Sequence, residues 1–373
     1  MNYRERFLSV MRFETPDRVP NHELGLWGQT FDRWLSEGMP QDAIRNDFFR
    51  GEDFFKLDRR EFVPLNVWMI PGFETQVIEE DERVIVYRDG SGILRRALKE
   101  GTVRGTRLSM DQYIDFPVKG EADFEAMKRR YDPAAPERYP ADWDAKVAAW
   151  KKRDCPLCLL TNGSFGLYSM MRTWVGTENL SYAFYDQPKL LEAMLEFLTE
   201  FFIRVTDRAV EQLDIDYFNF FEDFAGKGGP LISPRIFRQF FMPRYRRIIE
   251  HLTKHGIRFI ILDSDGNIEA LLPLFVETGI TGIWPLEIAA DMDPVRLRKQ
   301  YGRAFTLFGG IDKRELARDR ASIRRELLSK VPWLIEQGGY IPTIDHAIPP
   351  DISYDNFRYY LELKLKLLEG KSI

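Results

Sequence analysis

Cysteine is almost missing from these 373 residues: Cys155 and Cys158 are the only two. That is too few for a disulfide framework and fits a reducing compartment. Histidine is scarce as well, so any imidazole chemistry must draw on His22, His251, His255 or His346. No apolar run approaches the roughly 18 residues that span a bilayer, which excludes a membrane-spanning helix. There is no basic excess either. The 53 lysines and arginines stand against 58 aspartates and glutamates, a net charge of −5 with the signs interleaved, and no electrostatic footprint for nucleic acid remains. Internal repeats and low-complexity tracts are lacking. The first twenty residues have neither the apolar core nor the small-residue cleavage site of a secretory signal, so the chain is expected in the cytoplasm.

What remains is an ordinary globular composition, 44% hydrophobic and 30% charged, with an aromatic share of 14% that suits a thick core or a ring-walled pocket. The length fits one large α/β barrel with insertions, or about two domains. Eight β-rich runs decide between these, at 19–26, 62–69, 157–162, 216–221, 258–263, 282–285, 304–308 and 339–344. From the third onward each is followed by a helix-like stretch, which predicts a parallel sheet with crossover helices. The expected fold is a single (β/α)8 TIM barrel over 1–373. Asp186 should open a helix running to Val210, and Ser233-Pro234 another, kinked at Pro243 and ending at Gly256. Residues 70–153 do not fit one crossover. Runs at 76–78, 84–88 and 93–97 read as an antiparallel meander, followed by charged helices at 123–130 and 141–152. Their apolar content is too thin for an independent core, so they form an insertion between the second and third strands.

Active sites of such barrels lie at the carboxyl ends of the strands. Polar residues gather there: His22-Glu23, Asn162, Glu222-Asp223, Asp263 with Asp265, Glu287, and Asp345-His346. Asp263 and Asp265, two apart in an extended chain, share a face and can chelate a cation. His346 would add a nitrogen and Glu222, Asp223 or Glu287 another oxygen, a donor set for zinc, manganese or iron. The alternative is an Asp turn with an N-cap onto the helix from Asn267. Without a metal, two close carboxylates repel, and one stays protonated as a general acid. Cys155 and Cys158 lie at the strand's starting end and read as packing. His251 and His255 read as surface residues, and the glycines at 226–229 and 309–310 as loops.

Several segments carry a family resemblance. At Ile344-Asp345-His346-Ala347-Ile348-Pro349-Pro350-Asp351, at Phe221-Glu222-Asp223-Phe224-Ala225-Gly226, at Trp284-Pro285-Leu286-Glu287 and at the opening Arg4-Glu5-Arg6-Phe7, the chain resembles the uroporphyrinogen decarboxylase superfamily. That resemblance implies a (β/α)8 barrel and two activities, cofactor-free decarboxylation and corrinoid-linked, zinc-assisted methyl transfer. His346 matches the decarboxylase histidine, and Tyr168 aligns with its catalytic tyrosine. The arginine-rich decarboxylase segment is replaced here by His22-Glu23-Leu24-Gly25-Leu26-Trp27, which removes the countercharge a tetrapyrrole polyanion needs. The methyltransferase His-x-Cys and Cys positions hold Asp263, Asp265 and His346, a harder ligand set.

The first reading is therefore methyl transfer, with a divalent metal, zinc first, on Asp263, Asp265 and His346 and a corrinoid, free or on a partner protein, as methyl carrier. Glu222, Asp223, Glu287 and Tyr168 would serve nearby, and His22, Trp27, Asn162, Arg172 and Trp284 would hold the small-molecule substrate. The alternative is decarboxylation with no cofactor, with Arg172 as countercharge. A third is a non-catalytic barrel that binds a small ligand. A homodimer is the default assembly for such barrels.

Overall fold

Seven of the eight β-rich runs become strands of one curled parallel sheet. In spatial and chain order they are Glu61–Phe62, Leu157–Cys158, Tyr217–Glu222, Phe259–Ser264, Gly282–Leu286, Thr306–Gly309 and Tyr340–Ile341. The computed structural model describes residues 1–45, 48–104, 106–107, 109–161 and 163–373. Alternation along the strands sets two layers. Phe62, Cys158, Tyr217, Ile261, Trp284, Phe308 and Ile341 fill the inside of the curl. Phe218, Phe220, Ile260 and Leu262 face the helices. Helix Tyr3–Met11 plugs the amino end, where the Phe7 and Tyr217 rings lie 5.0 Å apart.

The helix signals hold with two corrections. Asp186 ends helix Thr177–Asp186, and Pro188 opens the next, Pro188–Gln212, because proline's fixed φ suits a first turn. Ser233 caps its helix as expected, its Oγ accepting from the Ile236 N–H at 3.2 Å. Ahead of Pro243 the chain widens into a π turn, Phe237–Phe241, then resumes as Met242–Lys254. Proline lacks the N–H that would have bonded the preceding turn. Between the first two sheet strands stand four antiparallel strands, Gln76–Glu80, Val84–Arg88, Leu94–Leu98 and Gln112–Asp115, then helices Glu121–Lys128 and Trp143–Trp150.

The run at 19–26 is no strand. Among the described residues it joins no ladder beyond a single parallel bridge between Leu26 and Ile348. Its polar groups are satisfied instead by partners distant in the chain. The Asp58 N–H donates to Asn21 O at 2.8 Å, the Arg60 guanidinium to Glu23 O at 2.9 Å, and the Ile348 N–H to Gly25 O at 2.9 Å. The Glu23 carboxylate, fully buried, accepts from Lys364 Nζ at 2.6 Å, Tyr360 Oη at 2.7 Å and the Ile344 N–H at 3.0 Å. Lys364, equally buried, also donates to His22 O at 2.7 Å. The segment is thus tied to both flanks by isolated backbone bonds together with buried side chains.

Removing one partner of a buried ion pair strands the other charge out of water. Glu23→Gln is expected to cost about 3–5 kcal/mol in urea denaturation, and Glu23→Gln with Lys364→Met to recover part of that loss.

Candidate active site

Strand alternation also sorts the carboxylates. Asp263, in line with Ile261, points inside the curl, where it is buried and hydrogen-bonded with Asn219; burial, with Asp265 close by, pushes its pKa well above the carboxylate range. Its backbone pairs with Trp284 on one side and Phe221 on the other. Glu222 follows Phe218 and Phe220 to the helical face. Its two oxygens accept from the Tyr168 N–H at 3.2 Å and the Ser169 N–H at 2.8 Å, and Tyr245 Oη donates to it as well. Helix Leu167–Val175 begins at Gly166, which has no capping side chain, so a strand carboxylate caps it from outside. Gly166 is required there: a Cβ would lie 1.8 Å from Phe221 O. Glu222 is therefore a buried cap, not a group at the mouth.

Beyond the strand ends, His346 and Asp265 meet, Nε2 to Oδ2, at 3.3 Å, with side chains 31% and 42% exposed. Contact with that carboxylate raises the imidazole pKa above its ordinary value, against the opposing effect of burial. Glu287 accepts from the Gly266 N–H at 3.0 Å and from Lys313 Nζ at 3.2 Å. Asp345, fully buried, accepts from the N–H groups of Ile288 at 3.1 Å and Lys313 at 3.2 Å, while Lys313 Nζ lies 3.6 Å from it. Trp27, Glu287, Lys313, Arg314, His346 and Pro349 line a cavity of about 510 Å³.

The other expected residues lie apart from this cavity. Asp223 pairs with Arg172 at 2.8 Å and lines a separate, smaller cavity with it. Tyr168 is sealed in the aromatic layer, 5.2 Å from the Phe224 ring, where burial pushes its phenol up to about 12 and the hydroxyl meets no partner among the described residues. Trp284 is stacked inside the curl between Phe49 and Phe308, at 5.8 and 5.5 Å. His22 lies inside too, 6.1 Å from Phe7 near the plugged amino end, and burial holds its pKa well below the ordinary value. Asn162 lies outside the described residues.

The family model for uroporphyrinogen decarboxylase (URO-D) matches residues 105–364. The chain belongs to the URO-D family. No curated protein matches it. Among 38 matching solved chains, a methyltransferase from Methanosarcina mazei has a TM-score of 0.59 at 17% identity, covering 98% of this chain and 99% of that one. At that identity the likeness speaks for the fold.

The metal set expected of this URO-D chain is not assembled. Asp265 and His346 meet, but Asp263 is turned inward onto Asn219. Among the described residues no three His, Cys, Asp or Glu side chains converge on one point. Sequence reasoning also passed over Lys313 and Arg314. The available signal was their place directly after Asp312, which caps helix Lys313–Leu316 just beyond the end of strand Thr306–Gly309.

Glu222 yields a pH test. Burial raises its pKa to about 7, so between about 4.5 and 7 the folded chain holds a proton that the unfolded chain has lost. Stability from this group therefore falls as pH rises through that window. In Glu222→Gln this component is removed, and the variant's urea midpoint should climb relative to wild type between pH 4.5 and 7.

Proposed function

We propose that this URO-D family protein is an enzyme that moves a proton on a small anionic substrate, in a cofactor-free reaction of the carboxy-lyase kind, within the cavity between Trp27 and His346. The observation that carries this reading is His346, paired with Asp265, on a cavity wall that also bears Lys313 and Arg314. Asp265 engages Nε2, which leaves Nδ1 to exchange a proton with substrate. Lys313, steadied by Glu287, supplies countercharge to a substrate carboxylate. When the carboxyl group leaves as carbon dioxide, the electron pair of the broken bond stays on carbon. That carbon takes the proton from His346, and water restores it. The Trp27 ring covers one side of the cavity and limits water. The seven strands with segment 19–26 then make the eight staves of one (β/α)8 barrel over 1–373, with 70–153 inserted after the second.

Corrinoid-linked methyl transfer with a divalent ion such as zinc is the second reading. Two of its three expected donors, Asp265 and His346, do meet, and the fold likeness to a methyltransferase runs over nearly the whole of both chains. It needs a donor other than Asp263.

Incubation in D2O with a panel of small carboxylates and with uroporphyrinogen, followed for carbon dioxide release and carbon-bound deuterium, tests the first reading. His346→Gln should lower the rate by about 100-fold to 10,000-fold with the fold retained. One divalent ion per chain, lost in both Asp265→Ala and His346→Ala, together with cobalamin binding, would establish methyl transfer in its place. Turnover of no substrate, with no bound ion, would leave a passive ligand-binding barrel.

A further inference from the structure

The second cavity, about 190 Å³, is walled by two units that are far apart in sequence. Arg95 and Tyr113 come from neighbouring antiparallel strands, paired directly across the ladder. Arg172 comes from helix Leu167–Val175, and Phe221 and Asp223 from the carboxyl end of a strand of the parallel sheet. The cavity therefore opens at the same end of the sheet as the His346 cavity, on the side of the antiparallel strands.

Its chemistry is specific. Trp68 and Tyr113 are 41% and 43% exposed, unusual for large rings, and together with Phe116 they leave flat apolar walls uncovered in one place. Two arginines line this space with one lining carboxylate, Asp223; Asp89 and Asp111 hold Arg95 from behind, with Asp111 3.9 Å from its Nη1, and leave Nη2 outside these pairs. Arg172 donates through Nε to Thr177 and through Nη1 to Asp223, so its second terminal nitrogen is not used by these bonds. The Arg95 guanidinium lies 4.9 Å from the centre of the Tyr113 ring and pairs at Nε with Asp89. Both arginine side chains are about three-quarters buried, at 24% and 26% exposure, so a carboxylate between them would meet charge-assisted bonds in a partly dry site. The volume lies below the roughly 300–1,000 Å³ of pockets for drug-sized ligands, so the occupant is a single ring and not a tetrapyrrole.

We infer that this cavity binds the planar aromatic carboxylate end of the substrate, with Arg95 and Arg172 holding the carboxylate and the Trp68, Tyr113 and Phe116 rings holding the flat body. It is a recognition site, and only its assignment to the substrate rests on the function proposed above. The antiparallel strands thereby contribute a residue, Arg95, that selects ligand by charge.

Benzoate and benzyl alcohol are the probes, titrated calorimetrically into wild type, Arg95→Gln, Arg95→Lys, Arg172→Gln and His346→Gln. Benzoate should bind wild type and His346→Gln alike. It should bind Arg95→Gln and Arg172→Gln about 10-fold to 100-fold more weakly, the loss expected for a hydrogen-bonded charge, and Arg95→Lys should keep part of the affinity. Benzyl alcohol should bind wild type as weakly as benzoate binds the arginine variants. If Arg172→Gln does not fold, the two Arg95 variants decide alone. No benzoate binding, equal affinity for both probes, affinity indifferent to Arg95, or loss in His346→Gln alone would each overturn the inference. Intact benzoate binding with no turnover of any carboxylate would count against the proposed reaction and leave this site standing.

Discussion

The buried ion pair of Glu23 with Lys364 is the constraint on which the working end of the molecule depends. Both groups are fully withdrawn from water, a costly arrangement that persists because each partner of the pair has further hydrogen bonds: Tyr360 and the Ile344 N–H on the carboxylate, and the His22 carbonyl on the ammonium. Through these contacts one carboxylate joins the amino-terminal segment, the end of the last sheet strand and the final helix. Trp27 lies four residues beyond Glu23, and His346 two beyond Ile344. Opposite walls of the larger cavity are thus referred to the same buried charge, and the Trp27 N–H on Ile348 O, at 3.2 Å, draws them together again.

Much of this was legible in the sequence. Seven strands could be read because their runs are apolar on both faces, as a sheet covered by helices on one side and filled on the other requires. The meander was legible from its turns, although its fourth strand, Gln112–Asp115, was not, since all but one of its residues are exposed and no face is apolar enough to signal. Segment 19–26 has the composition of a strand, but its hydrogen bonds go to scattered partners, Asp58 and Arg60 on one side and Lys364, Tyr360, Ile344 and Ile348 on the other, and form no ladder among the described residues. Periodicity reports which residues are buried, and it is silent on who satisfies the backbone.

At the site, the same one-residue alternation that was available in the sequence separates groups that had been read as one cluster. Tyr217 belongs to the interior, so Glu222, five positions on, belongs to the helices, and so does Ser264 relative to Asp263. Asp263 and Asp265 do share a parity, as expected, yet the strand ends at Ser264, and Asp265 has already left the sheet for a turn that brings it to His346. The pairing of His346 with a carboxylate from the turn after strand Phe259–Ser264 was therefore foreseeable, and the three-donor metal set was not realised because one of its members remains in the strand.

The carboxylates at this end of the sheet point to a division of labour. Glu222 caps a helix, Asp345 binds two backbone N–H groups, Glu287 bridges Gly266 to Lys313, and Asp223 holds Arg172. Each of these groups is used in positioning a helix end, a loop or a cation, which is why so many acids can gather at one end of the sheet without mutual repulsion dominating. Asp265 differs in spending its charge on an imidazole at a cavity wall. An acidic mouth is on its face a poor place for an anion, but here the acids are neutralised one by one by the chain itself. The cations of these pairs, Lys313 and Arg314 in one cavity and Arg95 and Arg172 in the other, also line the open space, and their remaining N–H groups are what a negatively charged ligand would meet.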